Sequence, residues 1–343
     1  MSFKRLDPED ISISAESIVS PAWSNDTVTL TDSGTGVGFF LNANQTSNNT
    51  GNFYFEVYHK QSPNDSTARV QFAIAYGHKT GLGSIPYNAS EANKSPSATI
   101  YGQYRNLVFG DEEKDFTFQG QTSDDIYVIS IDRARYKEKL FPGTFNLKLT
   151  SGSNVLHLTD NSNDISTVSY VDAGRVYDVV SGSNGSGHGD TTGYNSAGGS
   201  YGKFLPDVGL IVLSGAALNA SDGVLIRTNT GTTSAAIGMK NMQRLFNVID
   251  SGNSFSLQSE ETVSSNFVFV RVRNSEFNYS TNPSNITSSG ELRHDVMINT
   301  PQAYITTVGL YNDNNDLLGV AKLSRPLLKD FTKEALIRIK LDY

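Results

Sequence analysis

The residues of this chain whose type and spacing could support catalysis are few. Gly198, Ser200 and Gly202 match the G-x-S-x-G pattern of serine hydrolases. That pattern exposes a nucleophilic serine only when a buried strand precedes it and a helix follows it. Here it lies in a glycine- and serine-rich segment, so we interpret it as a chance match. None of the histidines is spaced as H-x-x-x-H or H-E-x-x-H, so the sequence predicts no metal site; these are His59, His78, His157, His188 and His294.

Clustered carboxylates are a second possible source of chemistry. Acidic residues gather at Asp111–Glu113, Asp160–Asp164 and Asp313–Asp316. A glycosidase needs two carboxylates about 5–10 Å apart, and linear spacing does not show such a pair. The last two groups do not follow the pattern of an EF-hand loop, and we interpret them as turns. The sequence therefore predicts no catalytic, cofactor-binding or metal-ligating residue, and a protein that is not an enzyme.

Composition indicates short strands joined by polar turns. Of 343 residues, 37% are hydrophobic and 18% charged, and Ser, Thr, Asn and Gly fill much of the rest. Asn, Gly and Ser supply turn geometry. The net charge of −8 opposes binding to nucleic acid, and the basic run Arg133–Lys139 is local. Without cysteine there is no disulfide and no thiolate chemistry.

Targeting signals are also missing from the sequence. The segment after Met1 has no apolar core of the kind that a secretory signal contains, and no apolar run approaches the ~20 residues of a membrane span. We therefore expect a protein that has no membrane partner and is made in a cytoplasm.

Alternating hydrophobicity predicts the strands. Asn52–His59 and Ala68–Tyr76 flank a turn and predict an antiparallel hairpin, and Asn266–Arg273 predicts a strand with valines on one face. The segment Ile100–Phe109 is interpreted as strand or turn, and Leu205–Leu213 as one buried strand. The expected fold is mainly β, with antiparallel sheets in β-sandwich-like packing.

One principal helix is predicted at about 234–250. Ala236, Met239, Phe246 and neighbouring apolar residues recur at helical spacing, and Gly252 follows. The glycine- and serine-rich segment 181–202 opposes regular structure and is interpreted as an exposed loop or linker. The predicted organisation is a β domain at 1–180, the linker at 181–202, and a β-rich domain with one helix at 203–343.

The closing segment is the strongest indication of function. Ile337, Ile339 and Leu341 share one face of a predicted strand, while the intervening charged residues face the other way. Such a strand completes either the protein's own sheet or that of a neighbour. We therefore predict an interface at Ile337, Ile339, Leu341 and Tyr343.

Four passages resemble virion proteins of contractile-tailed bacteriophages, especially the large myoviruses of marine cyanobacteria. They are Tyr127–Gly143, Tyr201–Leu213, Phe267–Asn278 and Tyr304–Tyr343, the last with the hairpin phrase Ile305–Tyr311. The resemblance implies a structural component of the phage tail, most of all a wedge-type baseplate protein. It also implies location in the virion after assembly in the host cytoplasm, and partners that are other tail or baseplate proteins.

Symmetric tails imply many copies, and self-association is a further option. Two alternatives remain open at this point. One is a receptor-binding module of a tail fibre that recognises glycan through exposed aromatic and Asn/Asp side chains. The other is a tail enzyme that degrades polysaccharide.

Overall fold

The computed structural model describes residues 3–31, 41–44, 54–59, 66–91, 93–188, 193–195, 199–226, 230–232 and 240–342. Strands make up 45% and helices 14%, and the sheets are antiparallel, which confirms the mainly β prediction. The helices are α1 Pro96–Phe109, α2 Gly215–Asn219, α3 Lys240–Gly252 and α4 Asp295–Asn299. The strands are β1 Ile11–Pro21, β2 Thr29–Leu30, β3 Leu41–Asn44, β4 Tyr54–His59, β5 Arg69–His78, β6 Thr117–Phe118, β7 Gln121–Thr122, β8 Asp125–Ile131, β9 Lys139–Leu140, β10 Asn146–Ser151, β11 Asn154–Asp160, β12 Ser169–Val171, β13 Gly174–Ser183, β14 Ser186–Gly187, β15 Gly202–Leu205, β16 Leu210–Ser214, β17 Phe255–Ser256, β18 Gln258–Val272, β19 Gln302–Tyr311, β20 Leu317–Asp330 and β21 Ala335–Asp342.

The chain forms two compact units. The central unit is Ile18–Glu261, and the terminal unit combines Met1–Ser17 with Thr262–Tyr343. This division differs from the predicted one, which placed a linker at 181–202. In the structure β13 and β15 pair antiparallel on either side of that segment, with Tyr177 opposite Phe204. The predicted boundary therefore falls inside one sheet, because the strands that flank the glycine-rich segment pair with each other.

The described residues of the central unit are built on a 13-stranded sheet. Its main path runs β2-β17-β10-β11-β13-β15-β16-β8-β5-β4-β3. The predicted hairpin of β4 and β5 is confirmed, with Phe55 opposite Ile74. Leu205–Leu213 forms a hairpin rather than one strand, because residues 206–209 turn between β15 and β16. Gly209 in that turn has φ +67°, a left-handed conformation that favours glycine.

The sheet curls around a large apolar core. Phe72 on β5 and Phe255 on β17 have six strands between them in the sheet order, yet their ring centroids lie 5.3 Å apart. Trp23 packs against Phe255 at 4.9 Å and donates its indole N–H to the Phe255 carbonyl. The sheet therefore brings its distant strands together, and the enclosed side chains form one buried cluster.

Helix α3 lies between distant strands of the curled sheet. Phe246 packs against Phe55 of β4 at 5.1 Å. At the other end, a Cβ added to Gly252 would lie 1.9 Å from the carbonyl oxygen of Lys148 on β10. Met242, Leu245, Phe246 and Ile249 are buried. The principal helix is confirmed from residue 240 onward; residues 233–239 of the predicted span lie outside the described residues.

The other face of the sheet is covered by α1, where the sequence indicated strand or turn. Ser95 caps its first turn by accepting a hydrogen bond from the amide of Ala98, and Pro96 takes the first helical position. Gly110 ends the helix at φ +62°. The buried side chains Ile100, Tyr101, Tyr104 and Val108 share one cluster with residues of β5, β8 and β16. The helix lies closest to β5, where a Cβ added to Gly77 would lie 2.8 Å from the amide nitrogen of Tyr101. The aromatic content of the segment favours strand, but the cap and the helical spacing decide its structure.

The terminal unit has two β layers. The ladder of β18 with β21 places Val268 opposite Ile339 and Val270 opposite Ile337. The β19–β20 hairpin packs its inner side chains, which include Ile305, Val308, Leu310, Ala321 and Leu323, against that ladder. The predicted alternation of β18 is confirmed, since Val268 and Val272 are buried while Arg271 is exposed.

Candidate assembly surface

Exposed apolar side chains concentrate in the terminal unit. Among the large hydrophobic residues that are exposed in the described chain, fifteen lie in this unit and eight in the larger central unit. Monomeric soluble proteins rarely leave large contiguous apolar patches open to water. Those of the terminal unit are Phe3, Ile11, Ile13, Tyr279, Val296, Ile298, Tyr304, Tyr311, Leu317, Leu318, Val320, Leu327, Phe331, Leu336 and Leu341.

Four of these residues form what we call the outer hairpin patch: Phe3, Tyr311, Leu317 and Val320. Register places Tyr311 opposite Leu317 and Gly309 opposite Val320, so all lie on the outer face of β19–β20. The Tyr311 ring and the Leu317 side chain both lie over Gly309. Phe3 packs edge-on against Tyr311 with ring centroids 5.2 Å apart. Leu317 is 53% and Val320 61% exposed, so the patch offers uncovered apolar surface.

Phe3 is held at the patch by its neighbour Lys4. The Lys4 ammonium donates to Glu276 Oε2 at 2.9 Å, and the Arg273 amide donates to the same oxygen at 2.9 Å. The amide hydrogen bond, followed by the Lys4 contact, lowers the pKa of Glu276 below its ordinary value. The ionised carboxylate is thus the form that anchors the N-terminal segment beside β19.

The second outer face, on β18–β21, mixes aromatic and basic side chains. Phe267 lies opposite Lys340 and Phe269 opposite Arg338. The Arg338 guanidinium lies 5.4 Å from the Phe267 ring centroid, and Arg271 is exposed on the same face. Stacked guanidinium and aromatic groups of this kind are common at protein interfaces.

Strand β21 is an edge strand in the described part of the chain. It pairs with β18 along Ala335–Asp342 and has no second neighbour among the described strands. Ser265 donates to Asp342 at 2.6 Å and, with Lys340, lowers the pKa of that carboxyl. An edge of this length presents backbone donors and acceptors that another strand could pair with.

The structure separates the four residues that the sequence predicted as an interface. Ile337 and Ile339 are buried in the terminal unit's own core and are unavailable to a partner. This corrects their assignment as interface residues, because the strand completes its own chain's sheet. Leu341 is exposed, and Tyr343 lies outside the described residues. The sequence did not predict the outer hairpin patch. Its signal was the start of β20 at Leu317–Val320, where apolar residues follow one another without alternating with polar ones.

The serine motif lacks the geometry of a nucleophile. Ser200 is fully buried, and its hydroxyl donates to the Gly202 carbonyl at 3.1 Å and to Asp178 at 3.4 Å. Strand β15, rather than a helix, follows it. The interpretation as a chance match therefore agrees with the local structure.

Both acidic groups that we interpreted as turns include a turn, although Asp160 itself ends strand β11. Asp160 is buried, and both of its oxygens accept the Gly143 amide at 2.9–3.0 Å, while burial raises its pKa. Asn312 Oδ1 accepts the amides of Asn314 and Asp316, which closes the β19–β20 turn. Among the described residues, no group of three or more His, Asp or Glu side chains is placed to hold a metal ion.

The chain matches no protein-family model, no curated protein and no solved structure. Within the described residues, none of the helices has the length and apolar character needed to cross a membrane.

Proposed function

We propose that this protein is a structural component of a bacteriophage tail, at the baseplate, that assembles through its terminal unit. The observation that supports this most is the concentration of exposed apolar side chains on the outer faces of that unit. The sequence resemblance to contractile-tail proteins gives the class of partner, which is another tail or baseplate protein. The outer hairpin patch and the edge of β21 are the docking elements.

The energetics of strand β1 favour a role in association. Strand β1 pairs with β18, yet its residues Ile11–Ser17 are all exposed. Ile13 alone leaves 72% of its surface open to water. Full burial of such a side chain contributes about 1.5–3 kcal/mol. A partner that covers this strand and the outer hairpin patch therefore gains several such contributions at a surface that is already folded.

Removal of the closing strand is a poor test of this proposal. Ile337 and Ile339 belong to the core of the terminal unit, so deletion of residues 335–343 would unfold it as well as remove an edge. Substitutions at exposed positions avoid that problem. Leu336 is 62% exposed on β21, and Leu336→Ser leaves the core side chains in place.

The decisive experiment locates the protein in virions. Gold-labelled antibody raised against the chain is applied to purified particles of the source phage and imaged by negative stain. Label at the end of the tail supports the proposal. Label confined to the capsid, or present only on unassembled material, would contradict it.

Glycan recognition is a second candidate, favoured by the exposed rings of Tyr304 and Tyr279. Exposed aromatic faces can stack on sugar rings, although they serve protein interfaces equally well. Binding of the isolated protein to a glycan array, abolished by Tyr304→Ala or Tyr279→Ala, would favour this candidate.

A further inference from the structure

A cationic cleft lies in the central unit. It has a volume of about 310 Å³. One wall is the segment 20–26, and the other is the turn 133–137 that follows β8. We call it the cationic cleft because Arg133, Arg135 and Lys137 line it, with Asp26 as the one acidic lining residue in the part of the chain that the structure describes.

The walls of the cationic cleft are fixed by hydrogen bonds. Gln71, which is fully buried, donates to Ser24 Oγ at 2.8 Å and accepts the Ser24 amide at 3.1 Å. On the opposite wall, Asp132 accepts the Ala134 amide at 2.8 Å and so caps the turn. Lys137 donates its amide to Ser259 Oγ at 3.0 Å. The cleft is therefore formed before any ligand arrives.

The cationic groups of the cleft are only partly paired with acceptors of the same chain. Arg133 lies over the Tyr136 ring at 4.7 Å and donates to the Tyr136 carbonyl. Lys137 pairs with Glu261. Arg135 differs, since its Nε–H is shielded from solvent and meets no hydrogen-bond acceptor in the described part of the chain. That shielded nitrogen is out of a ligand's reach, whereas the side chains of Arg133 and Lys137 are exposed and leave their charged groups open to an anion from outside.

The arrangement of charges and rings favours an acidic peptide over an acidic sugar. Three cations lie within five residues, on a 3-10 turn at Arg133–Arg135 and just after it, which suits several carboxylates rather than a single anion. Trp23 and Tyr136 are both buried, so neither presents a free face on which a sugar ring could stack. The central unit is otherwise acidic, with 16 basic and 23 acidic residues, so the cleft is a local exception.

We propose that the cationic cleft binds a carboxylate-rich polypeptide segment of a partner protein. This inference rests on the proposed function, because an assembly protein is the setting in which such a partner occurs. It adds a second contact of different chemistry: the terminal unit offers apolar surface, whereas the central unit offers positive charge.

The test measures binding of a short fluorescein-labelled poly-glutamate peptide by fluorescence anisotropy with the full-length chain. We expect saturable binding that weakens with added sodium chloride, since exposed charges are screened by salt. Arg133→Gln and Arg135→Gln should each weaken binding by about tenfold. Absence of saturable binding at low salt, or unchanged affinity in both arginine variants, would overturn the proposal.

A matched pair of lysine variants controls for net charge. Lys137 and Lys94 have side chains 65% and 64% exposed, and each pairs with one glutamate. Lys137→Gln should weaken peptide binding, whereas Lys94→Gln should leave it unchanged. Equal effects of the two would show that overall charge, not the cleft, attracts the peptide, and would reject the site.

Two further probes distinguish the source of the carboxylates. An oligogalacturonate that binds more tightly than the peptide would overturn the choice of a polypeptide ligand. Inorganic phosphate should compete weakly, because one anion replaces only part of the segment.

Arg135 is partly buried, so thermal unfolding of each variant checks folding, and exposed Arg133 provides the test if Arg135→Gln fails to fold. None of these outcomes changes where gold label lies on the virion, so the two proposals fail independently.

Discussion

The double substitution Leu317→Ser with Val320→Ser tests the outer hairpin patch. A partner that covers the patch would bury the 53% of Leu317 and the 61% of Val320 that now face water. Full burial of each side chain contributes about 1.5–3 kcal/mol, so the remaining fractions together contribute about 2–3.5 kcal/mol. That loss corresponds to about 30- to 400-fold in affinity. The variant itself should stay folded, since both positions are exposed and such changes alter stability by about 0.5 kcal/mol or less.

Competition during assembly measures this loss directly. Wild-type and variant chains with distinguishable tags are supplied together during infection, and mass spectrometry gives their ratio in purified particles. The matched control is Val155→Ser, because Val155 lies on a central-unit strand and is 51% exposed. We expect the patch variant to be strongly depleted and the control to equal wild type. Equal incorporation of the patch variant, with unfolding curves that superimpose on wild type, would show that no partner covers the outer hairpin patch in the particle.

Three other predictions concern packing and charge. Gly252→Ala should destabilise the central unit by about 1–3 kcal/mol, because its Cβ would overlap a carbonyl of β10. Gly102→Ala, in the interior of α1 with open space around it, should instead stabilise the central unit by about 0.5–1 kcal/mol. Urea unfolding compares the two glycine variants, and equal effects would contradict the packing of α3. Lys329→Met should destabilise the terminal unit by about 1–3 kcal/mol, because the buried ammonium donates to three oxygens at 2.6–3.0 Å; an unchanged unfolding midpoint would show that these bonds contribute nothing net. The pKa of Glu276 is lowered in the folded state, so its anchoring is fully present above the ordinary value of 4.5 and is lost as pH falls through the lower pKa of the folded state. In a Phe3→Trp reporter, the emission of the new tryptophan should shift to the red on acidification. When Glu276→Gln is added to this reporter, the emission should be red-shifted at all pH values. A blue emission in that double variant at neutral pH would contradict the anchor.

The strands could be predicted because a strand that is buried on one face alternates apolar and polar residues along the sequence. Phe55 and Val57 of β4, like Val268 and Val272 of β18, alternate with less buried residues. Helix α1 was missed although its signals were present. Ser95 and Pro96 begin it, Gly110 ends it, and the buried residues recur at helical spacing. Aromatic side chains raise strand propensity, and in this segment packing against the sheet outweighed that preference.

The candidate site was less predictable, since exposure depends on which strands pair. The alternation at Ile337 and Ile339 identified a buried face but could not say that the chain's own β19–β20 hairpin covers it. The outer hairpin patch requires the β19–β20 register, which brings Tyr311 opposite Leu317. Phe3 is nearly the full chain length away in sequence. The cationic cleft likewise combines residues 20–26 with 133–137, and only the fold places those segments together.

The location of the protein on purified virions tests the central claim most directly. Negative-stain images of source-phage particles, labelled with gold-conjugated antibody against this chain, give its position and its neighbours at once. We expect label at the end of the contractile tail, in several symmetric positions. Particles without tail label, with the protein recovered only from the unassembled fraction, would contradict it.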